Sequence, residues 1–397
     1  IVPERLWSVK PRFAIPIWRR DNPPSTEGHM YQERITRLIQ ALKINKLDAV
    51  ALNPGPSLFY LTGLTFHLME RPIVCLFTTD RPPLMILPEL ERPKAETSQL
   101  EIELITYGED EASRIQAFED ATIRLGLNDH CVGIEPLRLR VLELRLMESV
   151  APKATFTSGE RALSGLRIVK DETEISAIRR AVVIAEDALK ATLPLTRLGM
   201  TERELASELT MQLLRAGSQP EIPFSPIVAS GPNSALPHAT PTERALKPGD
   251  LLILDWGATA DGYVSDITRT FAVGEIDAEL VKIHSIVQQS NASGRDAIRP
   301  DITAQDIDRA SRVVIESAGY GQYFIHRTGH GIGLEAHEPP YIREGNPQSL
   351  TPGMTFTVEP GIYLPGRGGV RVEDDLLVTG TGGESISTYN REIEVIG

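Results

Sequence analysis

From residue 30 onward the apolar positions fall into readable periods. In "YQERITRLIQALKINKLDAVAL" the residues Ile35, Leu38, Ile39 and Leu42 share one helical face, and Ala49 to Leu52 then form a short apolar run that predicts a strand. "SLFYLTG" and "PIVCLFTTD" follow as two further predicted strands, punctuated by Pro and Gly. Helical and strand periods alternate in this way to about residue 160, the pattern of an α/β unit. A longer helix begins in "GLRIVKDETEISAIRR", where Asp171 and Glu174 form a capping pair and Ile175, Ile178 and Val182 share a face. Another opens at Thr201 and Glu204, closes before Gly217, and carries Leu205, Leu209 and Leu213 as its apolar stripe.

The later part changes character. A Pro-rich extended region runs to His238, and the apolar "LLIL" leads into a hairpin, "DWGATADGYVSDITRT". Two helices are predicted over residues 278–298 and 303–318, and the Gly-, Pro- and β-branched-rich remainder should be mainly strands. These periods give an α/β (α+β) fold of two domains, residues 30–165 and 166–397. Residues 1–29 are Pro-rich and run up to "GHM". They read as a tail or cloning addition ahead of a start at Met30, or as a true extension packed on the body, and carry no weight in the fold.

Composition adds little to this except by exclusion. At 397 residues, 41% hydrophobic and 24% charged, the chain can bury a sizeable core without disulfides. Cys75 and Cys131 lie in or beside apolar runs and form no CxxC or Cys/His zinc pattern, as expected of reduced core residues in the cytoplasm. A net charge of −13 without any basic block argues against a nucleic-acid partner. No apolar run is long enough to span a membrane, and "FAIPIW", broken by Pro16 and followed by charge, does not read as a signal peptide.

The hairpin raises the chemical question. Asp255 ends an apolar strand and Asp266 lies across the Gly262-Tyr263 turn, so adjacent antiparallel strands bring the two carboxylates side by side. Two such charges repel unless one is protonated or a cation lies between them. Alone, the pattern fits ordinary Asx-turn chemistry. Other residues shift the balance. Of eight histidines, His326, His330 and His337 fall in "HRTGHGIGLEAHEPP", where Gly329, Gly331 and Gly333 let backbone approach closely. His67, His130 and His284 read as ordinary structural or surface histidines. Glu359 in "FTVEPGIY" and Glu373 in "GGVRVEDD" each end an apolar run, although Glu373 beside Asp374 and Asp375 also fits an acidic surface turn. Four carboxylates and one imidazole make a hard, oxygen-rich set suited to two divalent cations, Mn²⁺ or Co²⁺ before Zn²⁺, that activate a water.

In that order and spacing, "DWGATADGYVSDITRT", "TGHGIGLEAHEPP", "FTVEPGIY" and "GVRVED" resemble the pita-bread metallopeptidases: prolidase, aminopeptidase P, methionine aminopeptidase and the metal-free relative creatinase. The part containing "LFYLTG" resembles the small creatinase-like domain that methionine aminopeptidases lack. The resemblance implies five metal ligands, Asp255, Asp266, His330, Glu359 and Glu373, with Asp266 and Glu373 bridging. It implies His238 and His337 as catalytic histidines, Glu359 as general base and acid, and Arg371 as an arginine that steadies the metal-site carboxylates. His326, with Phe224, would line the prolyl side of the pocket, and Thr268 would support a ligand. No ligand position is substituted, which counts against a creatinase-like role and against a relic used only for binding. The implied activity is hydrolysis of a peptide with proline at P1′, foremost as an Xaa-Pro dipeptidase, and the implied assembly is a homodimer. Aminopeptidase P action on longer peptides and a non-peptide amidohydrolase remain alternatives, and Trp256, beside a ligand position, has no assigned role.

Overall fold

The computed structural model describes residues 26–396; the reading of residues 1–25 as a tail lies outside them. The first helix, Thr26–Ile44, runs unbroken through Met30 and buries Ile35, Leu38 and Leu42. The strand Ala49–Leu52 follows as the period predicts, and with it a mixed six-stranded sheet is built in the order 103–107, 84–88, 74–78, 49–52, 131–134, 155–158. Every residue of the three central strands Ala49–Leu52, Val74–Thr78 and Leu84–Pro88 is buried, because the sheet is covered on both faces. That explains why they read as continuous apolar runs instead of alternating ones.

The stretch "SLFYLTG" is a correction: it forms a helix, Pro56–Thr62, not a strand. Pro56 occupies the first turn, where its missing N–H costs nothing, and Gly63 closes the helix at φ 71°. Seven residues are too few for periodicity to separate a buried helix from a buried strand.

The second part opens with the helix Glu172–Thr192. Asp171 accepts from the Thr173 and Glu174 amides, and the Glu174 side chain accepts from the Asp171 amide. Such a reciprocal cap contributes on the order of 1 kcal/mol. Glu202–Arg215, capped by Thr201 and Glu204, packs beside it, and a second pair, Ala278–Asp296 and Ala304–Ser317, packs elsewhere on the unit. The first pair covers a four-stranded sheet in the order 395–396, 267–273, 251–256, 227–230. Its core joins Ile178, Val182, Leu205 and Leu209 to Leu252, Leu254, Trp256 and Phe271.

A five-stranded antiparallel sheet runs in the order 338–342, 329–331, 355–358, 374–378, 383–385, and a hairpin joins 361–364 to 368–371. One isolated bridge, Thr268 to Glu373, ties the four-stranded sheet to the end of the strand Asp374–Val378. The carboxylates of interest gather around that seam. Across from it, the small domain meets the second through Phe59 against the Gly262 turn and through ion pairs from Arg34 to Asp171 and from Arg138 to Glu335.

Candidate active site

The strand Leu251–Trp256 is buried along its whole length, and alternation sends Asp255 and Trp256 to opposite faces. Trp256 Nε1 donates to the Ala185 carbonyl at 2.8 Å, so this residue anchors the sheet on the helix beneath it and takes no part in a pocket. Asp255 faces the seam. The strand Ile267–Val273 pairs with it, Thr268 opposite Asp255, which leaves Asp266 just ahead of the paired segment.

His330 arrives on the short strand Gly329–Gly331, squeezed between two neighbours. A Cβ on Gly329 would lie 1.8 Å from the Thr357 carbonyl oxygen, and one on Gly331 would lie 2.2 Å from that of Pro339. The glycines flanking His330 are therefore needed for strand closeness, which lets the imidazole reach the seam. Glu359 and Glu373 leave the ends of apolar runs at the same place, and the Glu359 amide is held by the Thr328 carbonyl at 2.7 Å.

These side chains converge. Ligand atoms of Asp255, Asp266 and Glu373 lie within 4.8 Å of one another, as do those of His330, Glu359 and Glu373, and those of Asp266, His330 and His337. His330 Nε2 is 3.3 Å from Glu359 Oε1 and 3.7 Å from Asp266 Oδ2. His337 sits with its ring centroid 4.0 Å from that of His330 and faces the cleft. Asp374 and Asp375 are fully buried beside Glu373, so the acidic run is no surface turn. Asp374 is claimed by Arg269 and Arg391, and Asp375 accepts the Asp266 amide at 3.0 Å.

Arg371 organises one side of this cluster. Its guanidinium donates to Asp255 Oδ2 at 2.6 Å, to Thr268 Oγ1 at 3.1 Å, to Tyr363 Oη at 3.0 Å and to the Pro237 carbonyl at 3.1 Å. The last contact holds the segment that presents His238. Thr268 Oγ1 in turn donates to Glu373 Oε2 at 2.6 Å. His326 Nε2 meets Tyr363 Oη at 2.9 Å, which links the far histidine to the same arginine. Phe224, His238, His326 and His337 all line one cleft of about 1530 Å³ between the two domains. His67, which reads from sequence as an ordinary histidine, lines it from the small-domain side.

The electrostatics follow from burial and crowding. Desolvation, with Glu373 and Asp255 nearby, drives the Asp266 carboxyl well above the usual range. Desolvation, with Glu359 and Asp255, does the same to Glu373. Burial pushes Glu359 up to about 7 and His326 down to about 3. For Arg371 burial alone would weaken the cation, but Tyr363, Asp255 and Glu373 outweigh it and hold the proton firmly. Arg371, with a weaker contribution from Arg327 at Glu359, is thus set against four carboxylates, and Asp255 Oδ1 is buried without a hydrogen-bond partner. Such an orphan acceptor in an acid-rich nest is what divalent cations satisfy, and the donor set fits them.

Residues 176–380 match Metallopeptidase family M24, and residues 34–169 match the Creatinase/Prolidase N-terminal domain. The chain belongs to metallopeptidase family M24. It is 34% identical over 377 residues to "Probable dipeptidase PepE" of Mycobacterium bovis, covering 93% of this chain and 98% of that protein. Among solved structures, a dipeptidase from Pyrococcus horikoshii OT3 superposes with a TM-score of 0.87 at 38% identity, covering 91% of this chain and all of the other. An Xaa-Pro dipeptidase from Bacillus anthracis gives a TM-score of 0.84 at 34% identity, covering 92% of this chain and 100% of the other. As an M24 metallopeptidase this protein is a hydrolase that uses divalent metal ions, on a creatinase-type small domain followed by a pita-bread domain.

Three further residues of the cleft and its supports are not singled out by the sequence. Tyr363, Arg327 and Asp375 come to the cleft or its supports only through tertiary packing. Tyr363 had one clue, its place in an apolar strand four residues after Glu359, with a hydroxyl that burial must satisfy.

Proposed function

We propose that this protein is a metal-dependent Xaa-Pro dipeptidase. The observation that carries the reading is the meeting of five ligand-type side chains, scattered over more than a hundred positions, around one seam that opens into an interdomain cleft. The end-to-end likeness to proteins named dipeptidase and Xaa-Pro dipeptidase supports the substrate class.

In this reading Asp255, Asp266, His330, Glu359 and Glu373 hold two divalent cations, and one imidazole among carboxylates favours Mn²⁺ or Co²⁺ over Zn²⁺. The bound ions supply Lewis acidity toward the scissile carbonyl and lower the pKa of the attacking water. Glu359, whose side chain keeps 15% exposure to the cleft, takes the proton from that water and returns it to the departing prolyl nitrogen. His238 and His337, exposed at the rim, donate hydrogen bonds to the oxygen that gains charge. Arg371 keeps Asp255 and Thr268 in place, and Thr268 orients Glu373. His326 and Phe224 border the prolyl ring, whose nitrogen offers no N–H for ordinary peptide contacts.

Cytoplasmic residence belongs to the same proposal. Cys75 and Cys131 are unpaired, as suits a reducing compartment, and among the described residues no helix is long and apolar enough to cross a membrane. Assembly as a homodimer, implied by the family resemblance, is tested by light scattering. The activity is tested by chelating the protein, restoring Mn²⁺, and following release from Ala-Pro, Gly-Pro, Ala-Ala-Pro and Ala-Pro-Ala. Cleavage confined to the dipeptides is the expected result. No cleavage of any prolyl peptide would overturn the proposal, and preference for Ala-Pro-Ala would move it to aminopeptidase P action.

A further inference from the structure

The four-stranded sheet meets the segment 371–375 along one antiparallel register. Asp266 stands against Asp375, Thr268 against Glu373 and Thr270 against Arg371. In a regular ladder such opposed residues exchange backbone hydrogen bonds. Here side chains make most of them. The backbone's share is the Glu373 amide, which donates to the Thr268 carbonyl at 3.1 Å. The Glu373 carbonyl accepts from Arg269 Nη1 at 2.5 Å. The Thr270 hydroxyl accepts from the Arg371 amide at 3.1 Å and donates to the Arg371 carbonyl at 2.8 Å. The Asp266 amide donates to Asp375 Oδ2 at 3.0 Å. At Thr270 and at Asp375 a side chain thus lies between the two backbones, so the seam is wider than a ladder on both sides of the Thr268–Glu373 bridge.

Arg269 spans this widened seam. It is 2% exposed, and each of its five N–H groups has an acceptor: the Thr268 and Glu373 carbonyls for Nη1, Asp374 Oδ1 and the Tyr389 carbonyl for Nη2, and the Asn390 carbonyl for Nε. Asp374 balances its charge. A planar fork with donors in fixed directions sets the distances between its acceptors, which the three donors of a rotating ammonium cannot do. One side chain therefore ties the strand 267–273 to the residues that carry Glu373 and to the segment 389–390.

Asp266 and Glu373 come from opposite sides of the seam. The two-cation reading, on which this inference rests, has both acids shared between the ions. One ion can be held by either acid with its neighbours. Two ions held at once need both acids at one spacing, and that spacing follows the width of the seam. We propose that Arg269 and Thr270 are positioning residues that set this width and thereby govern uptake of the second ion.

The test is titration of chelated protein with Mn²⁺, followed by calorimetry and by electron paramagnetic resonance, for the natural chain, Arg269→Lys and Thr270→Val. The natural chain should take up two ions and give the signal of a spin-coupled pair. Arg269→Lys keeps a positive charge beside Asp374 but loses the fork. Its first ion should bind as in the natural chain, and its second roughly ten- to a hundred-fold more weakly, the range for loss of a residue that orients metal ligands. At metal concentrations where the natural chain shows a coupled pair, this variant should show isolated Mn²⁺. Thr270→Val removes two hydrogen bonds and no charge, and should shift the second ion in the same direction by less. Melting curves establish which variants fold, and if Arg269→Lys does not, Thr270→Val decides alone. Two ions bound with natural affinity by either folded variant would overturn the proposal, because the width would then be set elsewhere. Equal weakening of both ions would also overturn it, since a merely structural role has no reason to single out the second. A natural chain that takes up a single ion sinks the two-cation reading, and this inference with it, before any variant is compared.

Discussion

Arg167, at the end of the helix Glu160–Arg167, forms a buried ion pair with Glu338, the residue immediately after His337. The other Glu338 oxygen accepts from Lys170 Nζ at 2.7 Å, and Arg167 also reaches Glu335 and, at 3.2 Å, Ser57 Oγ of the small domain. Burial alone would raise the Glu338 carboxyl, but Lys170 and Arg167 outweigh it and hold it below the usual range. The segment that presents His337 is thus fastened to the junction between the domains. Removing one partner of such a pair leaves buried charge uncompensated, at a cost of about 3–5 kcal/mol. Glu338→Gln should lower the melting temperature by several degrees and depress kcat with it. Arg167→Lys, which retains charge, should recover part of both. A Glu338→Gln protein with unchanged melting and unchanged kcat would show that the pair positions nothing.

The carboxylate cluster predicts an unusual response to metal. Asp255, Asp266, Glu359 and Glu373 are close enough to repel, and Arg371 offsets only part of this. Chelation should lower the melting temperature, and restoring a divalent ion at a hundred-fold excess over its Kd should return about 2.7 kcal/mol for each site filled. Asp266→Asn relieves the crowding. It should be more stable than the natural chain when both are metal-free, by on the order of 1 kcal/mol, yet gain little from added metal. Calorimetric scans of both proteins with and without Mn²⁺ decide the point. If metal-free Asp266→Asn melts below the metal-free natural chain, the crowding argument fails.

Glu359 is assigned a proton to carry as well as a place among the ligands. Glu359→Gln keeps an oxygen donor but cannot accept and release that proton. Turnover of Ala-Pro should fall at least about a thousand-fold even with metal in excess, within the range general acid–base catalysis commands. Metal content by elemental analysis separates this from simple loss of an ion. Retained turnover in a metal-loaded Glu359→Gln protein would remove the residue from its catalytic role.

The sequence made local features plain and tertiary ones obscure. The caps at Asp171/Glu174 and Thr201/Glu204 were readable because each is complete within four residues. Asp255, Glu359 and Glu373 stand out because an acid at the end of an apolar run conflicts with burial, which is visible without a structure, and Asp266 stands out because the hairpin sets it beside Asp255. Their meeting point was not visible in that way; it came through the family resemblance. The helix Pro56–Thr62 was misread because every buried position in a short apolar run fits either period. Arg327 could not be singled out, since lining the cleft is a property of how the chain folds around it, and 41 Lys and Arg look alike in a string. Trp256 likewise gains its meaning only from Ala185, seventy-one positions away, whose carbonyl it reaches on the helix packed against the sheet.

His284 provides a pH prediction away from the metal cluster. It sits in the helix Ala278–Asp296, 3% exposed, with its Nε2 buried and unpartnered. Desolvation pushes the imidazole down to about 4, only partly opposed by Glu392. In the unfolded chain the same group takes up a proton near pH 6.5. Between those values the unfolded state binds more protons than the folded one, so stability falls as pH drops from about 6.5 to about 4 and levels off below. The full difference amounts to roughly 3 kcal/mol. His284→Gln cannot titrate, so its stability should lose that much less over the same interval, as read by urea midpoints at pH 7, 5.5 and 4.5. At pH 7.5, where the imidazole is neutral in both states, its kcat/KM should stay within a few-fold of the natural chain, because the side chain does not line the cleft. Parallel pH curves for the two proteins would mean that His284 is solvated enough to protonate in the fold. A collapse of activity at pH 7.5 in a folded variant would mean that the helix relays something to the active site that its packing does not reveal.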